Sequence, residues 1–522
     1  MERWLVLGVI VVGGLLRAHR FNELGLSHFD EGVYALSGLW PWSGQFFPDQ
    51  GYFSPPLFPF LVGLINGILG GPSDLAPASV SLIASTLTVL ALWWIGRLWF
   101  SPEAGILAAW WGALDGFQIT FARVGLTDAT FALLTLVTVW LIYRSLEYGR
   151  WASVLLAGLA VGFTWNVKYN GFLPLLLSLG FLTRQRVLEK MRRLALVAVV
   201  GIMGYLPWAW WFHVKHSYPT LIEHQRGYFR GVGGLVQGWQ LAWDGAQFLW
   251  SPWMALPAIL ALVDPKVRQG WGWVVVGGVA VAMGTAGGPA VLLALAVAGT
   301  VLPAKRVARF PRVWLIAWLV LLPALYTPYL RLWLPTEVFL VLFAGHGLIG
   351  FVRCAEGVGE DRRLVSSRYV LAAASVGLAF GMVWFAGMAS KWSPLSEPAE
   401  GYRSAGRELA AWQAKQGTHL VGLVRPPLVY YLLNHGGRLD RLAGDALDRR
   451  ILGKNACLVT DHARIDSPKF HQDHERLKAE LITIARFHVE PGPVTLLDDY
   501  RPSDIPNDRR SYEVRVEALR TP

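Results

Sequence analysis

Cysteine is almost missing: Cys354 and Cys457 are the two in 522 residues, too few for a disulfide scaffold or a Cys-rich zinc module. Charge is scarce as well, at 16% of residues against roughly 25% in an ordinary soluble domain. There is no P-loop, no Gly-rich dinucleotide fingerprint opening a helix and no GxSxG elbow, which disfavours a nucleotide-fuelled pump. The 12 His form no metal pattern. His213 and His216 have no third ligand near them, and His471 with His474 is a weak zinc signal because exposed His pairs are common. The chain carries no internal repeat and no low-complexity tract.

What is present is apolar. Hydrophobic residues make up 54%, with 26 Trp, 25 Phe and 16 Tyr and a mean hydropathy of +0.39. That excludes intrinsic disorder and a wholly soluble enzyme, and reads as a polytopic α-helical membrane protein. Apolar runs near 4–18, 79–99, 104–122, 129–146, 151–167, 170–183, 194–213, 246–263, 271–286, 289–303, 313–328, 332–352 and 369–389 give about 13 transmembrane helices. The first run has only Arg3 ahead of it and no small-x-small site near residue 20, so it reads as an uncleaved anchor.

Lys and Arg fix the orientation. With the N-terminus cytoplasmic, 19 of them fall in inner segments and 8 in outer ones, and 20 lie beyond residue 390. Nearly all of the net +11 is therefore positive-inside bias, which leaves a nucleic-acid partner without support. An odd span count puts the tail outside the membrane, with the protein in the inner (plasma) membrane.

Residues 391–522 change character: charge rises and soluble α/β periods appear. Tyr402–Gln416, Pro427–Leu433 and Glu475–Ile484 read as helices; Leu420–Val424, Ala456–Thr460 and Val494–Leu497 read as strands. The expected organisation is a transmembrane domain over 1–390 and an extracytoplasmic soluble α/β domain over 391–522.

The first outer loop, residues 19–78, is long for a connection and too aromatic to be disordered. It holds His28-Phe29-Asp30-Glu31-Gly32-Val33-Tyr34-Ala35 and, further on, Gly51-Tyr52-Phe53-Ser54-Pro55-Pro56-Leu57. Tyr34–Trp42 and Leu57–Leu69 read as short interfacial helices. Adjacent acids cannot share one face of a regular element, so Asp30 and Glu31 face different partners. One reading makes Asp30 the N-cap of a helix starting near Gly32; the other makes the pair a general base and a binding carboxylate at the lip of a membrane cavity.

Further charges sit at outer helix ends, where burial is costly unless paired or functional. Arg123 and Asp128 bracket one junction, either as a salt bridge or both facing a cavity. Lys168, in Asn166-Val167-Lys168-Tyr169-Asn170, either snorkels or holds a lipid-linked phosphate. Arg331, in Tyr329-Leu330-Arg331-Leu332-Trp333-Leu334-Pro335, is a juxtamembrane anchor or a phosphate ligand, with Glu337 in the next span.

In this order these motifs resemble the membrane glycosyltransferases of the C superfamily (GT-C), in the branch of bacterial aminoarabinose transferases and protein O-mannosyltransferases. The likeness spans about residues 1–350. It implies transfer of a sugar, with inversion, from a polyprenyl-phosphate carrier to a lipid, glycan or protein hydroxyl outside the membrane. It makes Asp30 and Glu31 the candidate catalytic residues, with Asp30 as base and Glu31 orienting the acceptor or binding a cation. Tyr34, Tyr52, Ser54, Arg123, Asp128, Lys168, Tyr329 and Arg331 are the candidate substrate-binding residues. Where the aminoarabinose branch often has Lys-Pro-Pro-Leu, this chain has Ser54 first, so Lys168 or Arg331 must supply the cation at the carrier phosphate. An Asp-Glu pair is compatible with a divalent cation and does not require one. The competing class, a lipid or solute transporter or flippase, fits the span count but lacks the internal repeat common in secondary transporters.

Overall fold

α1 (Glu2–Ala18) starts the chain with one exposed apolar stripe, Leu7, Val11 and Leu15, and buries Val6, Val9, Gly13 and Leu16 on the other side. That division suits a helix facing lipid outward and its neighbours inward. The computed structural model describes residues 2–43, 54–240, 288–304, 306–326, 329–355, 399–441, 447–452, 456–461, 468–492, 494–495 and 512–520. Helices α2 (Phe29–Ser37), α3 (Trp40–Ser43) and α4 (Leu57–Leu69) follow in the first loop. The apolar body continues with α5 (Ala76–Trp99), α6 (Pro102–Leu114), α7 (Gly116–Ala122), α8 (Thr127–Tyr148), α9 (Trp151–Val167), α10 (Leu173–Ser178), α11 (Val187–His216) and α12 (Tyr218–Arg226). After these come α13 (Gly288–Val301), α14 (Arg309–Ala324) and α15 (Leu334–Ala355). Among the described residues five helical stretches are long and apolar enough to cross a membrane: Glu2–Glu23, Ala76–Trp99, Thr127–Tyr148, Val187–Lys215 and Leu330–Gly350.

Three of the apolar runs, near 246–263, 271–286 and 369–389, lie outside the described residues. Two others are corrected. The run at 104–122 is two helices, because Asp115 takes an extended backbone and accepts from the Gln118 N–H at 2.8 Å, capping α7 as a new start. The run at 170–183 is the six-residue α10 followed by a 3-10 turn, Leu179–Phe181.

The break at Asp115 builds a polar knot inside the apolar body. Arg17 is fully buried; its guanidinium donates to Ser85 Oγ at 2.8 Å and to the carbonyls of Gly13, Ala113 and Gly112 at 2.9, 2.9 and 2.8 Å. Asp115 and Glu337 are among its electrostatic neighbours, and Gln118 Nε2 donates to Glu337 Oε2 at 2.8 Å. Replacing Arg17 by Met takes the guanidinium donors away from Ser85 Oγ and three carbonyls. The expected loss is about 1–3 kcal/mol, the cost of leaving buried hydrogen-bonding groups without their partner. It would be read as a lower thermal midpoint of the purified protein in one fixed detergent.

The C-terminal part is a mixed sheet of five strands: β1 (His419–Leu423), β2 (Asp440–Arg441), β3 (Ala456–Asp461), β4 (Leu481–Val489) and β5 (Tyr512–Leu519), in the order β2-β1-β3-β5-β4. β1 runs parallel to β2 and β3, and β5 antiparallel to β3 and β4. Helices α16 (Arg403–Gln416), α17 (Pro426–Asn434) and α18 (Pro468–Leu477) accompany it. The helix expected over Glu475–Ile484 is instead the end of α18 and the start of β4, and Val494 and Thr495, expected in a strand, are helical. The tail's core joins Leu26 and Ala35 of the first loop to Tyr402, Leu409, Leu420, Tyr430 and Val514, so the loop is part of the C-terminal unit's packing.

Candidate active site

The site begins with how α2 starts. His28 is its N-cap, with Nδ1 accepting from the Asp30 N–H at 3.1 Å, while Glu31 Oε2 accepts from the His28 N–H at 2.9 Å. This capping box replaces the expected Asp30 cap. Glu31 Oε2 also accepts from the Ser27 N–H at 2.9 Å, and Oε1 accepts from the Gly125 N–H at 2.7 Å. Burial pushes the Glu31 carboxyl up, against the pull of those three amide donors. Glu31 thus ties the loop to the turn before Asp128; it does not line the cavity.

Asp30 points the other way, into a cavity of about 800 Å³. One wall comes from Asp30, Tyr34 and Ser54, another from Asp128, Phe131, Lys168 and Tyr169, and a third from Tyr329, Arg331 and Pro335. The C-terminal unit closes it with Gly422, Val424, Arg425, Pro426 and Val429. Ion pairs line it. Arg331 Nη1 is 2.7 Å from Asp30 Oδ2, and Lys168 Nζ is 2.5 Å from Asp128 Oδ1. The guanidinium of Arg331 lies 5.0 Å from the Tyr329 ring centroid, and Lys168 Nζ 5.7 Å from that of Phe131. Tyr34 packs edge-on against Phe58 at 4.9 Å, and burial with the nearby Asp30 pushes its phenol up, keeping it a neutral hydroxyl. Among the described residues no three His, Cys, Asp or Glu side chains converge as metal ligands.

Of the residues singled out from sequence, Asp30, Tyr34, Ser54, Asp128, Lys168, Tyr329 and Arg331 line this one cavity. Tyr52 lies outside the described residues. Arg123 does not pair with Asp128 and is not in the wall; its guanidinium donates to the Arg17 carbonyl at 3.1 Å and to the His19 carbonyl, closing the C-terminal end of α1. Arg425 was missed. Its signal is a cation just ahead of a helix, where the dipole disfavours positive charge, followed by two prolines at the first helical positions.

The chain is similar to several known proteins. The dolichyl-phosphate-mannose-protein mannosyltransferase family (PMT_2) matches residues 54–211. The undecaprenyl phosphate-alpha-4-amino-4-deoxy-L-arabinose arabinosyl transferase 2 of Pseudomonas fluorescens is 27% identical over 277 residues, 50% of this chain and 46% of that protein. The matched stretch thus spans less than half the length of that relative. The crystal structure of ArnT from Cupriavidus metallidurans bound to undecaprenyl phosphate superposes with a TM-score of 0.60 at 14% identity, covering 98% of this chain and 97% of that one. The Archaeoglobus fulgidus oligosaccharyltransferase tethered with an acceptor peptide gives 0.51 at 15% identity, covering 87% and 69%. The fold is that of the GT-C membrane glycosyltransferases, as the sequence resemblance implies.

Proposed function

We propose that this GT-C chain transfers a sugar, with inversion, from a polyprenyl-phosphate donor to an acceptor hydroxyl, with Asp30 as the base. The observation that carries the reading is the Asp30–Arg331 pair, 2.7 Å apart inside a cavity walled by both the helical body and the C-terminal unit. The Pseudomonas relative is named for undecaprenyl phosphate and an aminopentose, and the Cupriavidus structure holds undecaprenyl phosphate; both support a lipid-phosphate donor here.

The chemistry follows from charge. The acceptor oxygen attacks the anomeric carbon from the face opposite the phosphate, so the C–O bond to the acceptor forms as the C–O bond to the phosphate breaks. A carboxylate takes the acceptor proton, and the phosphate leaves as an anion that needs a fixed cation. Arg331 pairs with Asp30 and Lys168 with Asp128. Donor phosphate draws the two cations to itself, and Asp30 is released to act as base. Arg is suited to this because its planar fork matches phosphate oxygens.

The full organisation goes with this reading: about 13 spans, a cytoplasmic N-terminus and an extracytoplasmic C-terminal domain over 391–522. Arg97 with Glu2, Lys190 with Glu147, and Arg306 near Tyr148 gather at the helix ends shared with the start of α1. The cavity follows the other end of α1, and the positive-inside rule assigns that end to the outer face.

The test is release of free polyprenyl phosphate from a panel of polyprenyl-phosphate sugars, followed by mass spectrometry in liposomes with cell-envelope extract as acceptor. One donor should be consumed, and the product linkage should have the opposite anomeric configuration by NMR. No release from any donor overturns the reading in favour of lipid transport, which a scrambling assay would then detect.

A further inference from the structure

The strip of chain just ahead of Asp30 belongs neither to α1 nor to α2, yet its polar groups are satisfied, and largely by the C-terminal unit. The Gly25 N–H donates to the Ala399 carbonyl at 2.9 Å, the Tyr402 N–H to the Leu26 carbonyl at 2.9 Å, and the Leu26 N–H to Tyr431 Oη at 2.8 Å. Ser27 Oγ meets Thr495 Oγ1 at 2.8 Å. Arg403 reaches back with Nε to Asp74 Oδ2 at 2.8 Å, and with its terminal nitrogens to the Asn22 carbonyl at 3.3 Å and the Leu24 carbonyl. Tyr431 donates its hydroxyl to the same Asp74 oxygen at 2.7 Å.

Two glycines make the close approach possible. A Cβ at Gly25 would lie 1.8 Å from the Glu400 carbonyl oxygen, and one at Gly32 would lie 2.1 Å from the Pro427 nitrogen. Neither clash can be relieved by a flexible side chain, since backbone or proline ring is on the other side. The held strip then passes straight into the α2 cap, where the Ser27 and His28 N–H groups donate to Glu31, and Asp30 follows in the first turn of α2. None of Asp74, Arg403 and Tyr431 lines the cavity.

We propose that Asp74, Arg403 and Tyr431 are positioning residues for Asp30, so that the C-terminal unit sets the place of the base as well as walling the cavity. The kinetic half of this inference rests on the glycosyl-transfer reading above. If the unit only capped the cavity, polar groups remote from its lining would not matter to turnover. If it places the base, they matter through geometry: a misplacement of 1 Å at a reacting group can cost about 100-fold.

The experiment uses the full chain with Tyr431→Phe, Arg403→Lys and Arg403→Ala, measuring polyprenyl-phosphate release and hydrogen exchange at residues 22–31 in the same samples. Tyr431→Phe removes one hydroxyl and leaves the ring packed, which keeps the fold. Exchange of the Leu26 amide should rise about tenfold or more as its protecting partner is lost. Turnover at saturating donor should fall about tenfold in Tyr431→Phe and further in Arg403→Ala, with donor KM within about twofold and partial recovery in Arg403→Lys. Faster exchange with unchanged turnover overturns the proposal, as does unchanged exchange in all three variants. If the wild type releases nothing from any donor, the glycosyl-transfer reading fails by itself, and unchanged exchange would still refute the positioning role.

Discussion

Asp30→Asn is expected to lower sugar transfer by about 10²–10⁴-fold, the usual contribution of a positioned general base, while leaving donor KM the same or lower. The substitution changes little in volume, and the Asn amide oxygen still accepts from Arg331, 2.7 Å away in the wild type, so the cavity wall stays in place. What it removes is the capacity to take a proton. It also removes the negative charge paired with Arg331. Donor phosphate therefore no longer competes with a carboxylate for that cation, which is why KM should not rise. The measurement is initial-rate kinetics over donor concentration, with polyprenyl phosphate quantified by mass spectrometry. A near wild-type kcat would remove Asp30 from the chemistry. Glu31→Gln separates the two acids. Both Glu31 oxygens are spent on the N–H groups of Ser27, His28 and Gly125, and an amide nitrogen would face at least one of those donors. Loss of order in the loop, visible as faster exchange at residues 27–31, is the expected signature there.

How far the sequence alone reaches depends on whether a feature is local. Helix α4 was readable to its ends, Leu57 and Leu69, because Pro55-Pro56 opens it and Gly70-Gly71 closes it. The break at Asp115 was not, because the hydropathy of 104–122 is continuous and a single cap residue hardly moves a window average. In the tail, α18 and β4 are separated only by Lys478–Glu480, so a helical period started on the first ran on into the second. The cavity's charged members Asp30, Asp128, Lys168 and Arg331 were each singled out from the sequence, but their pairing was not. Arg331 is 301 residues from Asp30, and nothing in either segment names the other. Lys168 pairs with Asp128 although Arg123 is the nearer cation in sequence. The role of Glu31 was hidden because a capping box is normally recognised by Ser or Thr at the N-cap, and here the cap is His28. The grip on residues 22–27 joins backbone and side-chain groups to partners hundreds of positions away, 405 for the Leu26 N–H and Tyr431 and 468 for Ser27 and Thr495, which periodicity cannot register.

Arg331→Ala is the second large effect, an expected fall of about 10²–10³-fold in transfer, the cost of removing one fixed donor from a developing anion. Two consequences oppose each other. The leaving phosphate loses the cation that stabilises its charge as the bond to the sugar breaks. Asp30, relieved of its ion pair, becomes a more avid proton acceptor, which helps the acceptor hydroxyl react. The first effect wins: only part of any added basicity is realised in a transition state where the proton is partly transferred, whereas the leaving-group charge develops beside a cation that is largely shielded from solvent. Arg331→Lys should recover part of the rate, since it restores the charge but not the planar fork, nor the fit of a guanidinium 5.0 Å from the Tyr329 ring centroid. Lys168→Ala should cost less than Arg331→Ala, because its immediate partner is Asp128 and not the base. The double variant tests whether both cations meet one phosphate: two ligands of the same group should give a combined loss that departs from the product of the single losses. Strict additivity, with donor KM unchanged in both single variants, would place the phosphate elsewhere in the cavity.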